Sequence, residues 1–165
     1  MGCCVKLIDA ILLLYFVVIA LVVPLIDGQT CLPQHYFPDM VVNLRTWYSH
    51  EYEDYLMLEK PHFFGGLAWL ELLFQWPIAL ANLYAILAGK PWFNTTCLIY
   101  GVSVSASMAG VLGELMGSER ASEKLLMVYF SWMVFGVIAI LRGLMPTCVS
   151  TCSSTAKKVA RKKRA

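Results

Sequence analysis

Four uncharged or nearly uncharged apolar blocks, each long enough to cross a bilayer, constrain this chain more than any other feature. The first runs from Ala10 to Ile26, and Leu7 and Ile8 extend it. The others run from about 63 to 87, 96 to 116 and 125 to 145. An α-helix rises about 1.5 Å per residue, so about 20 residues cross the hydrocarbon. Only 15% of the 165 residues are charged and 59% are hydrophobic, against about 25% charged in a soluble domain. Gly89-Lys90-Pro91 and Gly117-Ser118-Glu119-Arg120 break the chain between the later blocks. Links this short hold no domain, so neighbouring spans run antiparallel. A cleaved signal peptide is the rival reading of the first block, but Asp27-Gly28-Gln29 makes no small-x-small cleavage site.

The expected fold is therefore all-α: a polytopic membrane protein built as a four-transmembrane-helix bundle. Residues 1–6 form a cytosolic N-terminus, 7–145 the membrane domain with spans at about 7–26, 63–87, 96–116 and 125–145, and 146–165 a basic cytosolic tail. The polar stretch Asp27 to His62 holds Pro33, Pro38 and Pro61 and the acids Glu51, Glu53, Asp54 and Glu59. Weak helical periodicity through Val41, Leu44, Trp47, Tyr48 and Tyr55 predicts one or two short amphipathic helices on the mouth of the bundle, a luminal helical segment between helices one and two.

Basic residues orient the chain. With the N-terminus inside, Lys6, Lys90, Arg142, Lys157, Lys158, Arg161, Lys162, Lys163 and Arg164 are cytosolic. They outnumber Arg45, Lys60, Arg120 and Lys124 on the other side. Both termini are thus expected in the cytosol. Asn94-Thr95-Thr96 reads as a glycosylation sequon, but this orientation keeps it from a glycan. Lys162 and Lys163, fourth and third from the end, look like a di-lysine retrieval signal for the endoplasmic reticulum. The alternative is a polybasic tail on anionic lipid. Nuclear-envelope and endosomal membranes are further sites in the same system. Cys3, Cys4, Cys148 and Cys152 flank the cytosolic surface, where palmitoylation is open to them, and unmodified thiols are the simpler expectation. No cysteine pair has zinc-ligand context. No metal, cofactor or nucleic-acid partner is expected.

Charge inside a span is costly, about 2.5–3.5 kcal/mol per group on insertion scales. Glu71 lies inside the second block, and Glu71, Gln75, Ile78 and Asn82 share an arc of about 60°. That face must look into the bundle. Pro77 removes a donor and predicts a kink beside Gln75. Asp27, read as the end of the first span, and Asp54, on the polar stretch, lie at the same side as Glu71, so the three carboxylates can meet. The third block offers Tyr100, Ser103, Ser107, Gly110 and Glu114 at helical spacing, where small residues suit close packing as well as ligand contact. Tyr129, Phe130, Trp132, Trp69 and Trp76 fit a pocket wall or membrane-interface anchors. The carboxylates themselves read either as a network fixing helix register or as a site for an apolar ligand with one cationic or hydroxyl group.

Several runs carry a resemblance. Leu14-Tyr15-Phe16, Leu25-Ile26-Asp27-Gly28-Gln29, Asn43-Leu44-Arg45-Thr46-Trp47-Tyr48, Tyr84-Ala85-Ile86-Leu87-Ala88-Gly89 and Leu98-Ile99-Tyr100 are similar to the sigma intracellular receptor 2 proteins. Trp69-Leu70-Glu71-Leu72-Leu73-Phe74-Gln75-Trp76-Pro77 is the most specific of them. These proteins belong to the EXPERA group, which also holds the emopamil-binding sterol isomerases. The resemblance implies a four-helix bundle, often dimeric, with a cavity open toward the bilayer that takes sterols or other amphipathic lipids and amphipathic amines. It implies that Asp27 holds a ligand amine, that Asp54 supports it, and that Glu71 and Gln75 form the cavity wall. Tyr100, Ser107 and Trp132 fall at further cavity positions, where Ser107 and Trp132 differ in type from the family's residues. A sterol-transport membrane protein is the implied protein partner.

The isomerases carry a histidine one turn before the glutamate of the second span. Leu67 stands there, so no catalytic residue is expected and the chain is read as a receptor or carrier rather than an enzyme. A sterol Δ8–Δ7 isomerase, or an adaptor that stabilises a partner, is the alternative.

Overall fold

The computed structural model describes residues 2–145. Lys162, Lys163, Cys148 and Cys152 lie outside the described residues, as do the side chains of Cys3 and Cys4. The described chain is helical, without strands. The first span is α1 (Gly2–Val22), a π-helical turn (Val23–Asp27) and α2 (Gly28–Cys31). A cap segment follows: a 3-10 turn (Gln34–Tyr36), α3 (Asp39–Glu51) and α4 (Tyr55–Glu59). The second span is α5 (His62–Leu70), a second π-helical turn (Glu71–Gln75) and α6 (Trp76–Leu87). The third and fourth are α7 (Phe93–Gly117) and α8 (Glu123–Leu144).

Four helices are long and apolar enough to cross a membrane: Val5–Cys31, His62–Leu87, Phe93–Gly117 and Glu123–Leu144. Their outward faces carry exposed Leu14, Leu73, Leu87, Met116 and Met127. Such a surface suits lipid rather than water, and the chain is a multi-pass membrane protein. The first span exceeds the expected one. It runs unbroken past Ile26 to Cys31, because residues 27–31 stay helical despite their polarity. Asp27 is therefore inside a helix, not at its end.

Local sequence explains the breaks. Gly89 ends α6 at φ +59. Gly89 N–H reaches Ile86 O at 3.3 Å and Lys90 N–H reaches Ala85 O at 2.9 Å, the pairing of a Schellman cap, which favours glycine. Ser122 starts α8, its hydroxyl accepting from Leu125 N at 3.2 Å. The expected break at Pro77 appears as the π turn Glu71–Gln75 just before it. A π turn absorbs one extra residue and bends the helix where the proline has no N–H to give.

The third and fourth spans pack closest. A Cβ on Gly101 would lie 2.7 Å from Gly136 O and from Ile140 N. One on Gly136 would lie 2.7 Å from Ser105 Oγ, and one on Gly143 2.7 Å from Leu98 N. Small residues let membrane helices approach to van der Waals contact of their backbones. The packing face is thus Gly101 and Ser105, not the expected Ser103, Ser107 and Gly110; nothing lies within 4 Å of a Cβ on Gly110.

One buried cluster joins all four spans through Leu12, Phe16, Ala79, Cys97 and Ala139. A second, with Leu56, Phe64, Val111, Leu115 and Leu125, lies where α4 covers α5, α7 and α8. Polar contacts clasp the cap segment to the α7–α8 turn. Tyr55 Oη and Ser118 Oγ are 2.8 Å apart, and Ser122 Oγ donates to Tyr52 O at 3.1 Å. Lys124 pairs with Glu51 at 3.4 Å, and Arg120 pairs with Glu59. These last pairs are exposed and screened by solvent, so they contribute little to stability.

Candidate ligand cavity

The two π turns touch each other across the bundle, and each carries a carboxylate. Asp27 is the last residue of the first, and Glu71 is the first residue of the second. Both turns are coupled to prolines, Pro24 and Pro77, which break the regular ladder. π turns recur at functional sites because they re-aim side chains. Here they aim Asp27 and Glu71 into one cavity of about 360 Å³. That volume falls in the range of small-ligand sites, about 300–1,000 Å³.

The walls are otherwise apolar. Val18, Ile19, Val22 and Ile26 come from the first span, Phe64, Leu67 and Ala68 from the second, Val104, Met108 and Val111 from the third, and Val128 and Trp132 from the fourth. Leu44, Trp47, Tyr48 and Met57 of the cap segment close one side. A floor of aromatics forms below: Tyr15 Oη and Tyr100 Oη are 3.0 Å apart. The Tyr15 ring stacks on Phe135 at 4.7 Å and sits 5.9 Å from Trp132.

Of the residues singled out in the sequence, Asp27, Glu71, Gln75, Tyr100, Ser107 and Trp132 all line this cavity. Gln75 is fixed by its Nε2, which donates to Ser103 Oγ at 3.0 Å and Ser107 Oγ at 3.1 Å. Asp54 does not line it. Its carboxylate is fully buried one layer behind, accepting from Tyr129 Oη at 2.9 Å and from Met57 N at 3.2 Å, and capping α4. Tyr129 and Met57 themselves line the cavity. Burial pushes the Asp54 carboxyl above its ordinary value, against those two hydrogen bonds, which favour the charged form. Tyr129 and Trp132 take wall positions, while Phe130 and Trp69 are exposed on the outer surface.

In the sequence Arg45 counts among the basic residues of the non-cytosolic side and is given no place in the cavity. Its side chain is buried, and Nη2 donates to Thr30 Oγ1 at 2.9 Å and to Met57 O at 3.4 Å. Burial lowers the guanidinium from its ordinary value, and the nearby charges of Asp27 and Asp54 oppose that. The signal was available: an arginine between apolar residues at helical spacing, flanked by acids on either side in the chain. Burial, followed by Arg45, likewise lowers Lys60, whose Nζ donates to Gln29 O at 3.5 Å. Tyr48, on the cavity wall, is raised by burial and then by Asp54 and Asp27. The cap side of the cavity is thus a mixed-charge layer, and the opposite side is apolar. The arrangement presents carboxylates at Asp27 and Glu71 to an otherwise apolar space.

A second polar network lies at the far end of the bundle. Arg142 pairs with Asp9 through Nε at 2.5 Å and Nη2 at 3.3 Å, and Nη1 donates to Asn94 Oδ1 at 3.0 Å. Asn94 Nδ2 donates to Met145 O at 2.5 Å. Asp9 lies within the expected first span, between Ile8 and Ala10, and its partner explains how a carboxylate sits in that helix.

Residues 40–143, well over half of the chain, match the family described as EXPERA (EXPanded EBP superfamily). The chain belongs to the EXPERA family. Among curated proteins, this EXPERA chain is 26% identical to sigma intracellular receptor 2 of Xenopus tropicalis over 120 residues, 72% of this chain and 70% of that protein. It is 30% identical to sigma intracellular receptor 2 of Homo sapiens over 112 residues, 67% and 64% of the two chains. It is 33% identical to that of Macaca fascicularis over 91 residues, 54% and 52%. The matched region of the family takes in α3 to α8, including Glu71, Gln75 and the cap segment; the first span, with Asp27, precedes it.

Proposed function

We propose that this EXPERA protein is a membrane receptor or carrier that holds a sterol or an amphipathic amine in the cavity between its four spans. One observation carries the reading: two carboxylates from facing π turns lie on the wall of an otherwise apolar cavity of about 360 Å³. A carboxylate in such surroundings is costly unless a partner arrives. A ligand ammonium or hydroxyl is that partner, and the aliphatic and aromatic walls take the remainder. Asp27 contacts the ligand's polar group. Asp54 acts through Tyr129 and Met57 by fixing the wall.

Leu67 on the wall supports a binding rather than a catalytic role. It occupies the position one turn before Glu71 where the isomerases' histidine would stand. The excess of basic residues supports a cytosolic position for both termini and a luminal one for the cap segment. Lys162 and Lys163 suit retrieval to the endoplasmic reticulum, where sterol handling or transport is the role, alone, as a homodimer or with a sterol-transport membrane protein.

The deciding measurement is photo-crosslinking of a sterol probe to the reconstituted protein, with peptides mapped by mass spectrometry. Label is expected on residues of the cavity wall, and Asp27→Asn should remove binding of a cationic amphiphile. Label confined to the outer surface rejects the reading. A Δ8-sterol incubated with the protein should return unchanged; formation of the Δ7 product would favour the enzyme instead.

A further inference from the structure

We propose that the cavity selects amphiphiles whose ammonium is followed by a terminal anionic group, and that Arg45 is the residue that recognises the anion. The inference rests on the cavity reading given above and names its ligand class. Arg45 is only 5% exposed. Among the described residues the ion pairs are Arg120–Glu59, Lys124–Glu51 and Arg142–Asp9, and Arg45 closes none. Taking a guanidinium out of water is costly unless its charge and its N–H groups are answered. Only Nη2 is answered, by Thr30 Oγ1 at 2.9 Å and Met57 O at 3.4 Å. Nε and Nη1 have no bonded partner, yet they are not sealed in; the sealed, unpartnered side-chain atoms are Gln29 Oε1, Asn82 Nδ2 and Ser105 Oγ. Arg142 is the contrast, with Nε, Nη1 and Nη2 all bonded to Asp9 and Asn94. One buried arginine is completed by the protein, and the other keeps donors to offer.

The order of groups along the first span gives the ligand its polarity. Tyr15, Asp27 and Thr30 all line the cavity. Tyr15 belongs to the aromatic floor, about 18 Å below Asp27 at 1.5 Å per residue. Thr30 lies about one helical turn beyond Asp27, toward the cap segment, and holds the guanidinium there. Lys60 adds a second cation at that end, its Nζ donating to Gln29 O at 3.5 Å. From the floor outward the wall is therefore apolar, then acidic at Asp27 and Glu71, then basic at Arg45 and Lys60.

An amphiphile fits these layers when its tail is followed by an ammonium and then by a carboxylate, sulfonate or phosphate. The free N–H groups of Arg45 present the fork that suits two anionic oxygens. A simple amine answers the acidic layer alone. A phosphocholine, with its phosphate between tail and ammonium, meets the two layers in the wrong order.

The test uses the full chain in lipid nanodiscs and three probes sharing one diazirine-bearing alkyl tail: an alkyltrimethylammonium, an N-alkyl-N,N-dimethylglycine betaine and an alkylphosphocholine. Crosslinking is followed against concentration, and labelled peptides are mapped by mass spectrometry. The betaine should label the cavity wall at about tenfold lower concentration than either other probe, the worth of one hydrogen bond to a charged group. Arg45→Met should erase that preference, bringing the betaine to the level of the alkyltrimethylammonium. Equal labelling of the wall by betaine and alkyltrimethylammonium in the wild type overturns this proposal and leaves the cavity reading standing, whether or not the variant folds. A betaine preference that survives Arg45→Met overturns the role of Arg45, and a phosphocholine equal to the betaine overturns the order of the layers. Wall label from none of the three rejects this proposal and the cavity reading together.

Discussion

Trp76 Nε1 donates to the Ala20 carbonyl at 3.2 Å, and Ala20 is the residue whose helical partner would be the absent N–H of Pro24. A side chain of the second span thus satisfies the carbonyl that a proline strands in the first. Inside a bilayer nothing else takes that role, since water is not at hand.

Trp76→Phe should therefore destabilise the protein by about 1–3 kcal/mol, the cost of a buried acceptor left bare. Thermal unfolding in detergent reads it. Pro24→Ala restores a backbone N–H for Ala20, so the double variant should recover part of the loss. Equal loss in the single and double variants argues against the stated cause.

Asp54 makes stability depend on pH. Its folded-state carboxyl is held above the ordinary value, chiefly by burial. The sign follows: the folded state binds the proton more tightly, so this group's contribution is fully present below the unfolded value, about 3.9, and is lost as pH rises through the raised value. Unfolding midpoints of the wild type should fall from acid toward neutral pH, and Asp54→Asn should flatten that slope. Tyr129→Phe removes a donor to the charged form and should steepen it. Identical slopes in wild type and Asp54→Asn would rule the mechanism out.

Gly136→Ala places a methyl 2.7 Å from Ser105 Oγ and 3.3 Å from Ser105 N. Gly101→Ala meets backbone atoms at 2.7 Å on the facing helix. Both should cost about 1–3 kcal/mol or more, as overpacking does, with Gly101→Ala the worse because backbone cannot swing aside. Gly110→Ala, with open space around it, should be close to neutral. A reversed ranking would show that the third and fourth spans do not cross at these glycines.

Asn94 should carry no glycan despite its sequon. Its amide nitrogen, the atom a glycan would occupy, is bonded to Met145 O, and its oxygen to Arg142. Endoglycosidase treatment of protein from a eukaryotic host should leave the gel mobility unchanged; a shift abolished by Asn94→Gln would overturn both the orientation and the network. Arg142→Met should be strongly destabilising, about 3–5 kcal/mol if Asp9 is left as an unpaired charge. Asp9→Asn in the same chain should relieve part of that.

The four spans were legible because length and apolarity are local properties; the polar residues 27–31 that carry the first helix beyond Ile26 were not. The face of Glu71 and Gln75 was legible for the same reason: a carboxylate in a membrane helix has one way to look. The π turns were not. Pro24 and Pro77 mark irregularity, but whether a helix answers with a kink or an extra residue depends on the opposite helix, here on Trp76 reaching Ala20. Asp54 was placed near the right neighbours but one layer too far forward, since nothing local says that Tyr129, 75 positions later, covers it. Arg45 and Arg142 count in the sequence toward orientation, and Asp9 is given no role there; Arg142 meets Asp9 across 133 positions, and pairing of that range leaves no periodicity in the chain.

Each π turn holds one residue more than a regular helix would. Removing a single residue from 23–27 or 71–75 would let the helix regularise with its two flanks facing much as before, but the widened turn that aims the carboxylate into the cavity would be gone. Such a chain would still be greasy enough to insert, yet Asp27 or Glu71 would point at its neighbours or at lipid. Substitutions around these turns are changes of chemistry, while a one-codon deletion is a change of aim, and the ligand chamber should tolerate the former far better than the latter.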